Sequence, residues 1–232
     1  MSEYYLFEYF IKGKKHFEGT LLRERCIAID ENNRRCRKYV SIGRPYCSIH
    51  RVSEMKLDIR PSTIKQAGNG LFACDPTKSK NAIIFKKGKP ICEYIGDRIS
   101  FAKNDKRYDD QSVKPPIIYT APYSINADNK YQLDSSLNRG IASLSNEKSE
   151  EKSNAQLQDY PFPPEKGVQA KVYLEAIKNI RNNQEIFCWY GNDYSLKEPT
   201  SYVTKPISKQ EYLKFGAHKC KYYKKGKVIK NP

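Results

Sequence analysis

At 232 residues the chain is long enough for one core of ordinary size plus a small accessory module. A hydrophobic fraction of 38% is modest, but 18 Tyr and 9 Phe supply enough burial area to exclude a disordered polymer, and no apolar run approaches the ~18 residues of a membrane span. The formal net charge of +16 reads either as a lysine-rich solvated surface or as the counterpart of a polyanion such as DNA.

Residues 1–20 alternate loosely, with Tyr4, Tyr5, Phe7, Tyr9, Phe10 and Ile11 as the apolar set, and predict a strand or a hairpin ending at Lys12-Gly13-Lys14. Its expected role is to pack the next module onto the rest. Glu3 and Glu8 interrupt the aromatics, so the segment lacks a signal-peptide core. An intracellular protein with reduced thiols is expected, and the odd count of 7 Cys argues against a disulfide framework.

Residues 21–53 carry Cys26, Cys36, Cys47 and His50 in the spacing C-x9-C-x10-C-x2-H. Cys47 and His50 share one short turn, which lets both reach a single ion. Three thiolates and one imidazole fill a closed tetrahedral zinc shell. So short a segment buries little core, and metal binding would supply its folding energy. Arg23, Arg25, Arg34, Arg35, Arg37, Lys38, Arg44 and Arg51 surround the ligands. The spacing and the basic flanks resemble the WRC zinc motif, a DNA-binding element of plant growth regulators. Arg35 stands just before Cys36, and that motif's signature Trp is absent.

Val52 to Pro61 reads as a linker running into a strand, with Leu57 and Ile59 alternating. Gly68 and Gly70 flank Asn69, so the backbone can approach a ligand closely there. Ile83 to Gly88 predicts a strand and turn, and Ile91 to Ile95 a second strand. Residues 99–118 are polar and irregular. Tyr119, Tyr123 and Tyr131 fall on strand-like stretches, and Asp134 to Asn138 leads into a loop at Asn146. Pro161 to Gly167 is a Pro-rich turn. Lys171 to Ile177 predicts a strand with Val172, Leu174 and Ala176 on one face, and Asn182-Asn183 turns the chain back. Glu185 to Trp189 suits a strand covered on both faces. Tyr190 stands at its end, before the turn cluster Gly191-Asn192-Asp193. Beyond residue 195, Ser208 to Phe215 predicts a short helix with a Ser208–Glu211 capping box and a stop at Gly216. From Lys205 to Lys230 the only acid is Glu211, among nine lysines. That run is either a plain tail or a phosphate-contacting stretch.

Taken singly, G-N-G is a turn, Asn146 an Asx turn and Tyr190 a packed aromatic. Together with their neighbours they resemble the SET family of protein lysine methyltransferases, and its PR-domain branch in particular. P-S-T-I-K-Q-A-G-N-G-L-F-A (Pro61 to Ala73) is similar to the family's opening strand and GxG turn. E-Y-I-G-D (Glu93 to Asp97) is similar to its E-Y-x-G-E strand. A-S-L-S-N (Ala142 to Asn146) with S-N-A (Ser153 to Ala155) resembles its Asn-His motif and downstream P-N-A. A-I-K-N-I-R-N-N-Q-E-I-F-C-W-Y-G (Ala176 to Gly191) resembles its closing motif. Order and separations fit over residues 57–194. Three features depart from the pattern: Glu147 replaces the usual His, the charged loop from Glu147 to Ser153 is two residues longer, and Cys220 alone remains where post-SET members carry a C-x-C zinc cluster.

The resemblance implies an α+β, mainly β fold of small sheets with a pseudoknot, here with a zinc-bound N-terminal module. The implied organisation is an N-terminal hairpin (1–20), a zinc module (21–53), a SET domain (57–194), and a C-terminal helix with a basic tail (195–232). It implies an S-adenosylmethionine-dependent lysine methyltransferase. Gly68, Asn69, Gly70, Leu71, Asn146 and Glu147 would meet the cofactor. Tyr190 and Tyr94 would carry catalysis. Tyr123, Tyr131, Cys188 and Trp189 would line the substrate. Tyr212, Phe215, Tyr222 and Tyr223 would close over the lysine channel in place of the missing zinc. Histone tails in nucleosomes, or another basic protein, are the expected substrate, with DNA met by the basic module and tail, in the nucleus or on chromatin and with no membrane partner. The alternative is a catalytically silent PR/SET-like DNA- or chromatin-binding protein, which Glu147 and the missing post-SET cysteines favour.

Overall fold

The computed structural model describes residues 4–11, 13–41, 44–108, 123–128, 130–160, 171–191, 200–216, 220–224 and 227–229. The first strands are β1 (Tyr4–Ile11), β2 (Lys14–Arg25) and β3 (Tyr39–Ser41), followed by helix α1 (Ser48–Met55), β4 (Leu57–Pro61), β5 (Asn69–Ala73), β6 (Ile83–Phe85) and β7 (Pro90–Glu93). Next come β8 (Asp97–Ser100), α2 (Phe101–Tyr108), β9 (Ser124–Asn126), β10 (Tyr131–Asp134), β11 (Asn146–Glu147), β12 (Ala155–Tyr160) and β13 (Lys171–Ala176). The last are β14 (Ile180–Arg181), β15 (Glu185–Cys188), β16 (Thr200–Ile207), α3 (Lys209–Phe215), β17 (Cys220–Lys224) and β18 (Lys227–Ile229). The mainly β class expected from the resemblance is what the chain adopts.

Two compact units form, each from separated stretches: Met1–Glu24, Gly96–Asn138 and Tyr194–Pro232 in one, Arg25–Ile95 and Arg139–Asp193 in the other. The segment read as one SET-type domain therefore contributes to both.

In the first unit the N-terminal hairpin forms as expected, but its partner comes from the far end of the chain. β1 pairs antiparallel with β16, from Tyr4 opposite Ile207 to Ile11 opposite Thr200. Pro206 is tolerated because β16 is an edge strand. The C-terminal stretch is thus not a plain tail: β16, α3, β17 and β18 are built from it. Across the hairpin Glu8 stands opposite Glu18, and the Lys15 ammonium bonds both carboxylates, which relieves the like-charge pairing. A second correction concerns residues 99–118, read as irregular: Phe101–Tyr108 is helix α2. Its buried residues are Asn104 and Arg107, one turn apart, and Arg107 forms a fully buried ion pair with Asp134 of β10. Among the described side chains its buried face is polar and satisfied by a distant partner. α3 has the capping box read from Ser208 and Glu211, with Gly216 as its C-cap.

The second unit is organised around one sheet in the order β4-β5-β15-β12-β13-β7, with β11 also beside β15. All four residues of β15 are buried, the apolar Ile186, Phe187 and Cys188 together with Glu185. β13 alternates as Val172, Leu174 and Ala176 predict. The strand expected from Leu57 and Ile59 forms as β4, but the linker expected before it does not. Ser48–Met55 is a helix, ended by Lys56 in the left-handed conformation with its N–H on the Arg51 and Val52 carbonyls. Eight residues hold little helix by propensity alone. This helix is fixed by tertiary bonds, Arg51 to Asp58 among them. The Pro161–Gly167 turn, Tyr119, and Asn192 to Tyr194 lie outside the described residues.

Candidate functional site

The second unit brings three distant segments together around β15. The first is the turn before β5. Gly68 has φ +71, a left-handed value that favours glycine, and its Cβ position faces open space. Gly70 is pressed against the sheet: a Cβ there would lie 2.1 Å from Glu185 Oε1 and 3.2 Å from Asn146 Nδ2. The second segment is β11. Asn146 and Glu147 pair in parallel with Phe187 and Cys188. The Asn146 amide donates to the Asn69 carbonyl at 3.1 Å and to Glu185 Oε1 at 3.3 Å. The third is Tyr190, whose hydroxyl donates to the Ser145 carbonyl, one residue before Asn146. The main-chain N–H of Tyr190 bonds the Glu147 carboxylate. Burial nevertheless pushes the Glu147 carboxyl above its usual value.

Glu185 ties these pieces to the start of the motif. Its carboxylate accepts from the Ser62 hydroxyl at 2.7 Å, from the Thr63 N–H at 2.7 Å and from the Thr63 hydroxyl, besides Asn146. Burial pushes this carboxyl up, but the donors of Thr63, Ser62 and Asn146 win and hold it below the ordinary value. On the other side of β15, the buried Asn154 side chain acts as a piece of strand. It donates to the Glu185 carbonyl at 2.9 Å and accepts the Phe187 N–H at 2.8 Å. Ala155 then pairs in parallel with Cys188. β15 is thereby flanked by two segments of one loop, which leaves Tyr190 just beyond the covered strand.

Sequence reasoning passed over Glu185, Ser62, Thr63 and Ser145, and gave Asn154 no structural job. A lone acid opening an otherwise apolar strand was the available signal, since a buried carboxylate needs donors. Ser145 acts through its main chain and left none.

The remaining candidates divide. Leu71 is fully buried and stands in the ladder between Ile59 and Ile186, so Gly68 and Asn69 form the exposed part of the turn. Tyr94 is buried after β7, its N–H on the Val172 carbonyl at 2.7 Å. Cys188 is 1% exposed, and burial raises its thiol to about 12 against the pull of the Leu157 N–H. Trp189 is half-buried. Tyr123 and Tyr131 belong to the other unit. There the Tyr123 carbonyl accepts from Ser135, and Arg98 lies 5.0 Å over the exposed Tyr131 ring. Tyr212, expected in a lid, is buried in that unit with its ring 4.8 Å from that of Tyr4, and Phe215 is half-buried beneath the Lys221 ammonium. The side chains of Tyr222 and Tyr223 lie outside what is described.

Cys26, Cys36, Cys47 and His50 converge, with all four ligand atoms within 4.8 Å of one another. His50 Nδ1 is 3.4 Å from the Cys26 sulfur and 3.3 Å from that of Cys47. Zinc–sulfur bonds of about 2.3 Å put tetrahedral thiolates about 3.8 Å apart, so the set needs little rearrangement to close on an ion. Main-chain N–H groups already face the sulfurs, Cys47 onto Cys26 and Lys38 onto Cys36. Helix α1 explains the C-x2-H spacing, because its first turn brings Cys47 and His50 to one side.

The arginines around this cluster are largely committed. Arg25 donates to the Arg35 and Cys36 carbonyls, and Arg35 returns the clamp to those of Arg25 and Cys26. Arg34 pairs with Asp30. An open cleft of about 380 Å³ runs beside the cluster, lined by Arg34, Arg35, Arg37 and His50 among others.

Residues 68–191 match the family model described as SET domain. No curated protein matches the chain. Among solved structures, a Chaetomium thermophilum polycomb repressive complex 2, described as autoinhibited and bound to S-adenosylmethionine, is 19% identical with a TM-score of 0.44 and aligns over 60% of this chain. A crystal structure of the Chaetomium thermophilum complex is 19% identical, with a TM-score of 0.43 over 62% of this chain. The match spans 16% of the length of each of those chains.

Proposed function

The chain belongs to the SET domain family, and from that premise we propose that it is an S-adenosylmethionine-dependent protein-lysine N-methyltransferase acting on histone tails in nucleosomes. The observation that carries the proposal is the convergence of the glycine turn and Tyr190 on the Ser145–Asn146 segment beside β15.

The residues present suit the cofactor. Gly68 and Asn69 offer main-chain groups on an exposed turn, and Asn146 offers a carboxamide beside them. Glu147 adds a carboxylate acceptor. When bound, S-adenosylmethionine supplies a sulfonium methyl group as electrophile and a thioether as leaving group.

The chain's part is alignment and desolvation. Tyr190 is held at both ends, by the Ser145 carbonyl at its hydroxyl and by Glu147 at its main chain. Its phenolic proton is committed to Ser145, so the oxygen turns lone pairs toward an incoming amine and accepts its N–H. Lysine must arrive neutral. In this reading Tyr190 and Tyr94 would wall the lysine's path, where desolvation lowers the amine's pKa and the released proton leaves to water. Alignment of this kind is worth ~7–11 kcal/mol in favourable cases. Cys188 is buried in β15, but it is smaller than the Phe or Tyr that many members hold there, and that residue type is the ground for proposing di- or trimethyl products. Mass spectra showing monomethyl-lysine alone after long incubation would reject that degree.

The Cys/His cluster holds one zinc in this reading. Exposed cations of the module other than Arg35 and Arg37, and the Lys205–Lys230 run, meet DNA in this reading, with chromatin as the proposed location. The test is transfer of labelled methyl to nucleosomes and free histones, with Tyr190→Phe as control. Turnover falls by about 100-fold or more in the variant while cofactor affinity changes less than about twofold. No transfer and no cofactor binding by calorimetry leave the second reading, a silent chromatin-binding protein, which Glu147 in place of His favours.

A further inference from the structure

The zinc module exposes an apolar face that neither methyl transfer nor phosphate contact uses. Residues 26–29 run antiparallel to 35–38: Cys26 donates to the Lys38 carbonyl, Cys36 to that of Ala28, and Ile29 bridges Arg35. This register sets Ile27 opposite Arg37. Opposed residues share a face, so Ile27, Ile29, Arg35 and Arg37 stand together, while Cys26 is turned into the buried cluster. Ile27 is 49% and Ile29 60% exposed. Arg35 is pinned by main-chain carbonyls yet keeps its charge, and Arg37 has no partner among the described residues. Of the two acids in the hairpin turn, Asp30 is paired with Arg34 and Glu31 is exposed.

We propose that this hairpin face docks an acidic, aliphatic segment of a partner protein, its carboxylates on Arg35 and Arg37 and its apolar side chains on Ile27 and Ile29. The charge pattern selects the occupant. A second copy of this chain, at +16, is repelled. Nucleic acid phosphates satisfy the arginines but leave Ile27 and Ile29 in water, whereas an aliphatic acidic segment satisfies the arginines and removes that apolar area from water as well. The proposal stands apart from the transferase reading.

The experiment uses the full zinc-loaded chain and fluorescence anisotropy. One probe is a short peptide alternating glutamate and valine. A second alternates glutamate and serine at equal charge, and a third is duplex DNA. The glutamate–valine peptide binds about tenfold or more tighter than its serine counterpart. Ile27→Ser with Ile29→Ser erases that difference at unchanged zinc content, and Arg37→Ser weakens both peptides. Equal binding of the two peptides, binding of neither, or DNA displacing the peptide with an affinity indifferent to the isoleucines overturns the proposal.

Discussion

Replacing Glu185 by Gln tests the junction on which the site depends. Glu185 is 4% exposed and accepts from Ser62, from Thr63 twice and from Asn146. Glutamine keeps the shape but turns one oxygen into an NH2. Facing Thr63, that group meets a main-chain N–H that cannot rotate. Facing Ser62, it meets the NH2 of Asn146. Either orientation leaves a buried donor unmatched, at a cost of about 1–3 kcal/mol. Taking about 2 kcal/mol, the melting temperature falls by roughly 4–8 °C for a chain of this size. Acid gives a second reading. Because the native carboxyl titrates below its ordinary value, its stabilisation is complete above the unfolded value of about 4.3 and is lost as pH falls through the native one. The gap between wild type and Glu185→Gln therefore narrows below about pH 4. Thermal melts across pH, with calorimetric titration of S-adenosylmethionine to follow the loosened Asn146, measure both. A variant that melts within a degree of wild type at neutral pH, or a gap constant with pH, refutes the reasoning.

Metal analysis is expected to return one zinc per chain, and Cys36→Ser or a chelator should unfold the module, since structural zinc contributes on the order of 10 kcal/mol; a metal-free chain that stays folded there contradicts this. The Cys188 thiol, raised to about 12 by burial, should resist alkylation at pH 8 in the native protein and react once unfolded. Rapid native labelling at Cys188, located by peptide mapping, would show that the strand is open. DNA affinity should fall steeply between low and physiological salt, in proportion to the phosphates neutralised. A flat salt dependence removes DNA from the partners.

The sequence by itself determined what is encoded within a few residues. Alternation marked β13, the unbroken apolar run marked β15, Ser208 and Glu211 wrote the capping box of α3, and three cysteines with one histidine wrote a four-donor cluster. The order of the glycine turn, asparagine loop and late tyrosine was legible for the same reason, because each is a short local pattern. Only the tertiary structure decided which distant groups would satisfy one another. The pairing of β1 with β16, the Arg107–Asp134 pair beneath α2, the mutual clamp of Arg25 and Arg35, and the donors gathered by Glu185 all join residues that no local period relates. A buried polar group must find a partner, and where that partner lies along the chain is fixed by the fold and not by spacing.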